Sequence, residues 1–390
     1  MGNITLLGID TAKSSFELYG IDSHNKAILK KTLSREKFPE FIANLPKCKI
    51  IMEACGGSHH WGRTFIEMGH EVKLLAPQKV SPFVQSNKND SNDAKAIVHA
   101  SLCPDMEFVP VKQVWQQDIQ ALHRIRERSI KNQTALANEI RGILGEYGIV
   151  IKVGINNVRS ILPALLQDPT EKLSSMIRSA LADLHHELLV FTENIERIDK
   201  QLEAITKQNE TCQRLLEIDG IGVITVTAIL AAVTDHTLFK NGRQFSAWLG
   251  LTPGHTQTGG KDSSPIMLGI TKRGNSYLRT LLIQGAMSVA RQASRLDTSE
   301  KSEKELPRFE SQNKPVAPMI LGDLPCRKRK KAKGVVSKNG LPRRIWLKKL
   351  IETKGIQKAA VAYANKNARI ICAMLKSGEG YNVQTFAKAS

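Results

Sequence analysis

Four carboxylates in this chain have the residue types and the spacing that metal-ion chemistry requires. Asp10 and Glu53 each follow a short apolar run that predicts a buried strand, and Asp90 and Asp93 lie three residues apart where a helix should begin. Mg²⁺ prefers oxygen ligands and is usually shared between protein carboxylates and substrate phosphates. We therefore interpret these four residues as metal ligands and as catalytic residues. The simpler alternative is that Asp10 caps a turn and that Asp90 and Asp93 open a helix.

The arrangement of these acids indicates phosphodiester chemistry. Cleavage of a phosphodiester requires that charge developing on the attacking and leaving oxygens be neutralised, which metal ions held by several carboxylates can do. Acids at the ends of strands in a mixed sheet, with an acidic pair on a later helix, match a ribonuclease-H-like arrangement. The sequence therefore predicts a metal-dependent nuclease or a related enzyme.

The overall charge points to a nucleic-acid partner. The 390 residues include 56 Lys and Arg against 37 Asp and Glu, which gives a formal net charge of +19. Such a surplus commonly marks a protein that binds a polyanion. No apolar run has transmembrane length, and the six cysteines form no C-x-x-C pair, which argues against zinc and a disulfide framework. We expect a cytoplasmic protein with no membrane partner.

The fold class predicted from the patterns is an α/β domain followed by an all-α remainder. Residues 1–110 predict a mixed sheet, because three consecutive strand patterns are followed by strand–helix alternation. Residues 111–212 predict long helices, and one apolar stripe continues for about four heptads. A helical hairpin packing on itself and an intermolecular coiled coil would both explain this stripe. Its members are Leu181, Leu184, Leu188, Phe191, Ile195, Ile198, Leu202 and Ile205.

A second compact unit is predicted after the long helices. Residues 213–296 read as helices separated by a G-x-G turn and a glycine-rich loop. Residues 297–342 are polar and basic and predict a flexible insertion, and residues 343–390 resume an amphipathic helical pattern.

Gly220 and Gly222 could form the turn of a helix-hairpin-helix, where glycines let backbone N–H groups approach a phosphate. A plain turn between two helices is the alternative. The segment 253–274 offers a stronger signal, because flexible backbone, hydroxyls and cations together suit phosphate handling and a hydroxyl nucleophile. A mobile basic loop that only neutralises backbone charge is the alternative here. The hydroxyls and cations that carry this prediction are those of Thr256, Thr258, Ser263, Ser264, Lys261, Lys272 and Arg273.

Several sequence elements, taken in order, resemble the DEDD insertion-sequence transposases. They are GIDTAK, EACGG, the N-D-x-x-D-A-x-A-I element, ALHRIRERSIKNQTALANEIRGILGEYGI, the NGRQFSAWLGLTP element, GGK, GITKRGNSYLRTLLIQGA and ANKNARI. The resemblance is to the group of insertion sequences 110 and 1111, which are relatives of the Piv invertase and of bridge-RNA-guided recombinases. It covers residues 6–294 and 344–381.

The resemblance implies a RuvC-like domain in which Asp10, Glu53, Asp90 and Asp93 bind Mg²⁺. It also implies a coiled-coil region and a C-terminal transposase domain whose serine attacks a DNA phosphodiester to form a covalent link. The acids of a partner subunit in a homodimer or homotetramer would complete the site. A guide RNA from the element would pair with DNA, so that base pairing supplies sequence choice. Apart from the resemblance, the residues that we expect to bind nucleic acid are Gly220, Gly222, Lys261, Lys272, Arg273 and Arg279.

The chain departs from the family pattern at the nucleophile. Gln257 and Thr258 occupy the positions where the family's serine precedes the G-G-K step, and residues 262–264 are additional. Thr258 or Ser263 is therefore the expected nucleophile, with Ser264 a further option. The prediction is a transposase that excises and inserts its own element in a bacterial, nucleoid-associated setting. The rival interpretations are a RuvC-like endonuclease that uses water and an inactive nucleic-acid-binding remnant.

Overall fold

The structure is a computed structural model that describes residues 3–84, 90–168, 173–256, 266–295 and 341–381. The chain divides into two compact units. The first contains residues 1–198 with 230–235, and the second contains residues 199–229 with 236–390. The five-part division drawn from the sequence stays a prediction. Of the helices that the structure describes, none combines the length and the hydropathy that crossing a bilayer requires.

The first unit contains the predicted mixed sheet, and the α/β prediction for this end of the chain is confirmed. Its five strands lie in the order β3-β2-β1-β4-β5, with the hairpin strands antiparallel and the neighbours of β4 parallel to it. The strands are β1 Leu6–Thr11, β2 Ser15–Ile21, β3 Ala27–Ser34, β4 Lys49–Glu53 and β5 Glu71–Leu75.

Helices cover both faces of this sheet because its central strands are apolar on both sides. In β1, Leu7 and Ile9 join one core, while Leu6 joins the other. The first core contains a stack of the Phe16 and Phe38 rings, whose centroids lie 4.0 Å apart. The helices are α1 Lys37–Ala43, α2 Ser58–Glu67, α3 Pro77–Val80 and α4 Asp90–Ser101, with a 3₁₀ turn at Ser81–Phe83.

Three helices follow: α5 Val114–Glu146, α6 Ile155–Gln167 and α7 Ser175–Gln208. They bury one common core, to which α5 contributes Ile140, α6 contributes Leu162 and α7 contributes Leu188. Part of the predicted heptad stripe is therefore used within the chain, as a helical hairpin requires. The sequence pattern does not predict α6 as a helix of its own. This helix is amphipathic and contains Pro163 in its interior.

The remaining elements are mainly helical, as predicted. They are α8 Glu210–Leu215, α9 Val223–Ala232, a 3₁₀ turn His236–Leu238, α10 Gly242–Trp248, β6 Pro253–Thr256, β7 Ile266–Ile270, α11 Ser276–Ala293, α12 Leu341–Lys354 and α13 Ile356–Ser377. The final helical segment is divided at Gly355, which has φ +81°.

One prediction for this region is wrong. The stretch on either side of the glycine-rich loop is an antiparallel hairpin, in which Pro253 pairs with Ile270 and Thr256 with Ile266, rather than loop throughout. The period-2 pattern of Ile266, Leu268 and Ile270 is the strand signal that the count of glycines and hydroxyls obscured.

Candidate functional site

Asp10 and Glu53 lie at the same edge of the sheet. Strands β1 and β4 are parallel neighbours, and Ile9 pairs with Met52. Asp10 and Glu53 are the next residues on each strand, so the register carries both acids to adjacent positions. Both residues are half-buried. The predicted placement of these two acids at strand ends agrees with the structure.

Gly8 controls how closely α4 approaches this edge. A Cβ atom at Gly8 would lie 2.5 Å from Val98 Cγ2 and 2.7 Å from the Ala94 carbonyl oxygen, so only glycine leaves room for the helix. Because side chains two residues apart share a sheet face, Asp10 faces the side that α4 covers. Asp93 directly precedes Ala94 and is half-buried. Gly8 therefore lets α4 bring Asp93 to the face of the sheet that carries Asp10.

Asp90 is the first residue of α4, but its side chain lies outside the described residues. Among the side chains that the structure describes, no three His, Cys, Asp or Glu residues form a group that could hold a metal ion. The donor set is nevertheless all carboxylate, which suits a hard cation such as Mg²⁺. The described side chains of Asp10, Glu53 and Asp93 therefore do not by themselves form a metal site in this geometry.

A hydrogen bond between Thr11 and Cys55 joins the ends of the two acid-bearing strands. The Thr11 Oγ1 and Cys55 Sγ atoms lie 2.8 Å apart. Burial raises the pKa of the Cys55 thiol, the bond to Thr11 lowers it, and the charges of Glu53 and Asp10 raise it again. The net effect is a raised pKa, to which the negative charges of both carboxylates contribute. Neither Thr11 nor Cys55 was a candidate from the sequence, although Thr11 directly follows Asp10 and Cys55 lies two residues after Glu53.

The turn after Glu53 is fixed by α2 and by the chain that precedes α5. His59 Nδ1 accepts a hydrogen bond of 3.1 Å from the Lys112 backbone N–H. Arg63 Nη1 donates to the Lys112 carbonyl at 2.7 Å and to Gln117 Oε1 at 2.6 Å. Burial, followed by the charges of Lys112 and Arg63, lowers the pKa of His59 to about 4. His59 is therefore a neutral acceptor that holds this segment together.

A second candidate region is the base of the β6–β7 hairpin, where glycines bring backbone segments into direct contact. A Cβ atom at Gly274 would lie 1.9 Å from the Trp248 carbonyl oxygen, and one at Gly250 would lie 2.1 Å from the Arg273 carbonyl oxygen. Both glycines have positive φ angles, +77° and +69°. The Thr271 N–H donates to the Thr252 carbonyl at 2.9 Å. Gly250 and Gly274 thus fix the hairpin base, and their positive φ was not foreseen.

The basic residues at this base have different roles. Lys272, with φ +55°, and Arg273 are exposed. Arg279 is half-buried, and its Nη1 donates to the Leu249 and Arg273 carbonyls, each at 3.0 Å. Arg279 therefore braces the two backbone segments, whereas Lys272 and Arg273 present their charges to solvent. The predicted residues Thr258, Lys261, Ser263 and Ser264 lie outside the described residues.

The Gly220 turn is held by charged and backbone contacts. Asp219 pairs with Arg344 through bonds of 2.8 and 3.0 Å, and its carbonyl accepts from Asn367 Nδ2 at 3.0 Å. A Cβ atom at Gly285 would lie 1.9 Å from the Gly220 carbonyl oxygen. Gly222 has open space where a Cβ would stand. The turn is thus rigid on the Gly220 side and accessible on the Gly222 side.

Comparisons with known proteins cover both candidate regions. Residues 7–149 match the DEDD IS110 family described as "Transposase", and residues 212–300 match the "Transposase IS116/IS110/IS902 family". The transposase for insertion sequence element IS1111A of Coxiella burnetii is 40% identical over 98% of this chain and 92% of its own length. A probable family 20 transposase of Pseudomonas aeruginosa is 36% identical over 96% of this chain and 97% of its own. The transposase for insertion sequence element IS1328 of Yersinia enterocolitica is 38% identical over 73% of this chain and 84% of its own.

Proposed function

The chain belongs to the IS110 family of DEDD transposases, and on that premise we propose that it excises and inserts its own insertion sequence by Mg²⁺-dependent DNA strand cleavage and exchange. DNA transposition, with DNA as the substrate, follows from the family. The metal, the nucleophile and the guide are the parts of the proposal that go further. The observation that carries it is the parallel register of β1 and β4, in which Asp10 and Glu53 are the residues that follow the paired Ile9 and Met52 at one edge of the sheet.

In this proposal Asp10, Glu53, Asp90 and Asp93 hold Mg²⁺ in a RuvC-like domain. The bound metal would neutralise charge on the oxygens attached to the reacting phosphorus. The chain's own contribution is to hold the acids in place. The parallel β1–β4 pair fixes Asp10 and Glu53, and the contact of α4 with Gly8 supports the position of Asp93.

The nucleophile in this proposal is a hydroxyl of the glycine-rich loop, Thr258 or Ser263, with Ser264 as a further option. Its oxygen attacks a DNA phosphorus and loses its proton, while the deoxyribose oxygen leaves with the bonding electrons. The protein is then joined to DNA by a phosphodiester, whose later attack by a DNA hydroxyl restores the side chain and joins strands. The rigid hairpin base supports this role, because it fixes both ends of the loop.

We also propose an element-encoded guide RNA, a homodimer or homotetramer, and a cytoplasmic, nucleoid-associated location. The net charge of +19 supports a nucleic-acid partner. The α7 stripe would provide a coiled coil between subunits where it is not used by the α5–α6–α7 core. Gly220, Gly222, Lys261, Lys272, Arg273 and Arg279 are the proposed residues of the nucleic-acid site.

The test is a covalent-capture assay. The protein is purified from cells that carry the whole element, so that any associated RNA is retained, and is incubated with end-labelled element DNA and Mg²⁺. We expect label that remains with the protein after denaturation, and loss of this adduct on chelation and in Asp10→Asn. Adduct missing from only one of Thr258→Ala, Ser263→Ala and Ser264→Ala identifies the nucleophile. Cleaved DNA that is never attached to protein would contradict the covalent step and support hydrolysis by water.

A further inference from the structure

The β6–β7 hairpin has apolar side chains that the described residues leave exposed. Ile266 and Leu268 have exposed fractions of 67% and 52%. The two strands pack chiefly against each other. Across the ribbon from Leu268 stands Gly254, whose missing Cβ would lie 3.7 Å from Leu268 Cβ. A glycine at this position leaves Leu268 without a cross-strand side chain to shield it.

The described chain that follows these two side chains is basic. Lys272 and Arg273 follow β7 directly and are exposed. Neither the described strands of the ribbon, Pro253–Thr256 and Ile266–Ile270, nor the turn 271–274 contains an acidic residue. An apolar ribbon edged by cations is complementary to a nucleic acid, whose backbone is anionic and whose bases present apolar groups.

A two-stranded ribbon also has a shape that fits DNA. The major groove of B-DNA is wide enough to admit a two-stranded β-ribbon. An isolated hairpin is only marginally stable in water, but this one is anchored at its base by the contacts of Gly250 and Gly274. It can therefore project from the unit and still present a fixed surface.

We propose that the β6–β7 ribbon lies in the major groove of the DNA substrate, with Ile266 and Leu268 against the base edges and with Lys272 and Arg273 against the phosphates. Apolar side chains cannot pair with phosphate, and in the major groove their natural contact is the C5-methyl group of thymine. The ribbon thus reads pyrimidine methyl groups, while the two cations fix its register. The inference rests on the proposed function only in taking DNA as the ligand, and not on the metal or the nucleophile.

The test is a methyl scan by fluorescence anisotropy in EDTA, where no cleavage takes place. Duplexes of the element's own end carry deoxyuridine in place of each thymidine, or 5-methyldeoxycytidine in place of each deoxycytidine, one position at a time. We expect at least one position where the change in methyl alters wild-type affinity by about threefold or more, and where an Ile266→Ala, Leu268→Ala double variant no longer responds. Leu238→Ala, which removes another exposed leucine of the same unit, should respond as wild type does.

Salt dependence separates the two pairs of residues. Lys272→Gln and Arg273→Gln should each lower the slope of log affinity against log salt by about 1, whereas the apolar double variant should keep the wild-type slope. Methyl responses that are equal in wild type and the apolar variant would overturn the proposal. The proposal would also be overturned if, without DNA, the wild type self-associated as its concentration rose and the apolar variant did not. The ribbon would then be a contact between copies of the chain. Failure of the wild type to bind the duplex at all would instead count against the proposed function.

Discussion

The sheet edge that carries Asp10 and Glu53 and the base of the β6–β7 hairpin both depend on glycines, but these glycines contact different kinds of neighbour. At Gly8 an added Cβ would meet the Val98 side chain at 2.5 Å and the Ala94 carbonyl oxygen at 2.7 Å, and both belong to a helix that packs on the sheet. At Gly250 and Gly274 the nearest atoms are backbone atoms of Arg273 and Trp248. A helix can shift by a few tenths of an ångström on a sheet, whereas two crossing backbones cannot separate without breaking their hydrogen bonds. The acids are thus held by an adjustable contact and the hairpin by a fixed one.

The substitution with the largest expected effect tests the backbone contact between Gly274 and Trp248. Gly274→Ala places a Cβ 1.9 Å from the Trp248 carbonyl oxygen at φ +77°, and we expect it to lower the free energy of unfolding of this unit by about 3 kcal/mol or more. Urea unfolding followed by circular dichroism measures it. Gly269→Ala on β7, where no atom lies within 4 Å, is the matched control and should change stability little. Equal effects of the two changes would remove the distinction between fixed and open glycines.

A buried ion pair in the same unit should have the next largest effect. The Arg344 and Asp219 side chains are 9% and 18% exposed, so Arg344→Met leaves a largely buried carboxylate without its partner. We expect a loss of about 3 kcal/mol in unfolding free energy. Lys131→Met breaks the exposed pair between Lys131 and Glu127, 3.1 Å apart, and should cost about 0.5 kcal/mol or less. A small cost for Arg344→Met would mean that the Gly220 turn is held by backbone contacts alone.

The adjustable contact should affect chemistry more than stability. Gly8→Ala is expected to lower the free energy of unfolding by about 1–3 kcal/mol, because α4 must move outward to accept the methyl group. That movement carries Asp93 away from Asp10, so Mg²⁺-dependent strand cleavage should fall by about a hundredfold. Cleavage assays at several Mg²⁺ concentrations, alongside urea unfolding, separate the two effects. Cleavage that falls no more than the folded fraction does would show that α4 does not position an acid.

The smallest effect concerns pH. Burial and the charges of Lys112 and Arg63 lower the pKa of His59 from 6.5 to about 4 in the folded chain. The unfolded chain therefore binds a proton below about pH 6.5 that the folded chain takes up only near pH 4, so stability falls as pH drops through this window. His59→Gln should reduce this fall by about 1 kcal/mol, in unfolding measured between pH 7 and 4.5. His60→Gln, the exposed neighbour, serves as the control, and an unchanged pH slope in His59→Gln would contradict the assignment.

The sequence predicted the parts of this molecule that depend on local pattern. Short apolar runs predicted the strands before Asp10 and Glu53, and the register of the parallel strands then brings the two acids to adjacent positions. The sequence could not predict contacts between segments that are distant in the chain. Nothing in the spacing shows that Gly274 touches Trp248, that Gly8 receives α4, or that Asp219 pairs with Arg344 across 125 positions. The hairpin was missed because glycines and hydroxyls dominate the composition around it.

The proposed role of the carboxylates is tested most directly by strand cleavage of the element's own end with carboxylate variants that remain folded. Wild type, Asp10→Asn, Glu53→Gln and Asp93→Asn are compared with Asp105→Asn as a control acid outside the proposed set, in Mg²⁺ and with retained RNA. We predict that each of the three variants loses strand cleavage by about a thousandfold while thermal unfolding and DNA affinity stay close to wild type, and that Asp105→Asn cleaves normally. Cleavage at the wild-type rate by Asp10→Asn or Glu53→Gln would contradict it.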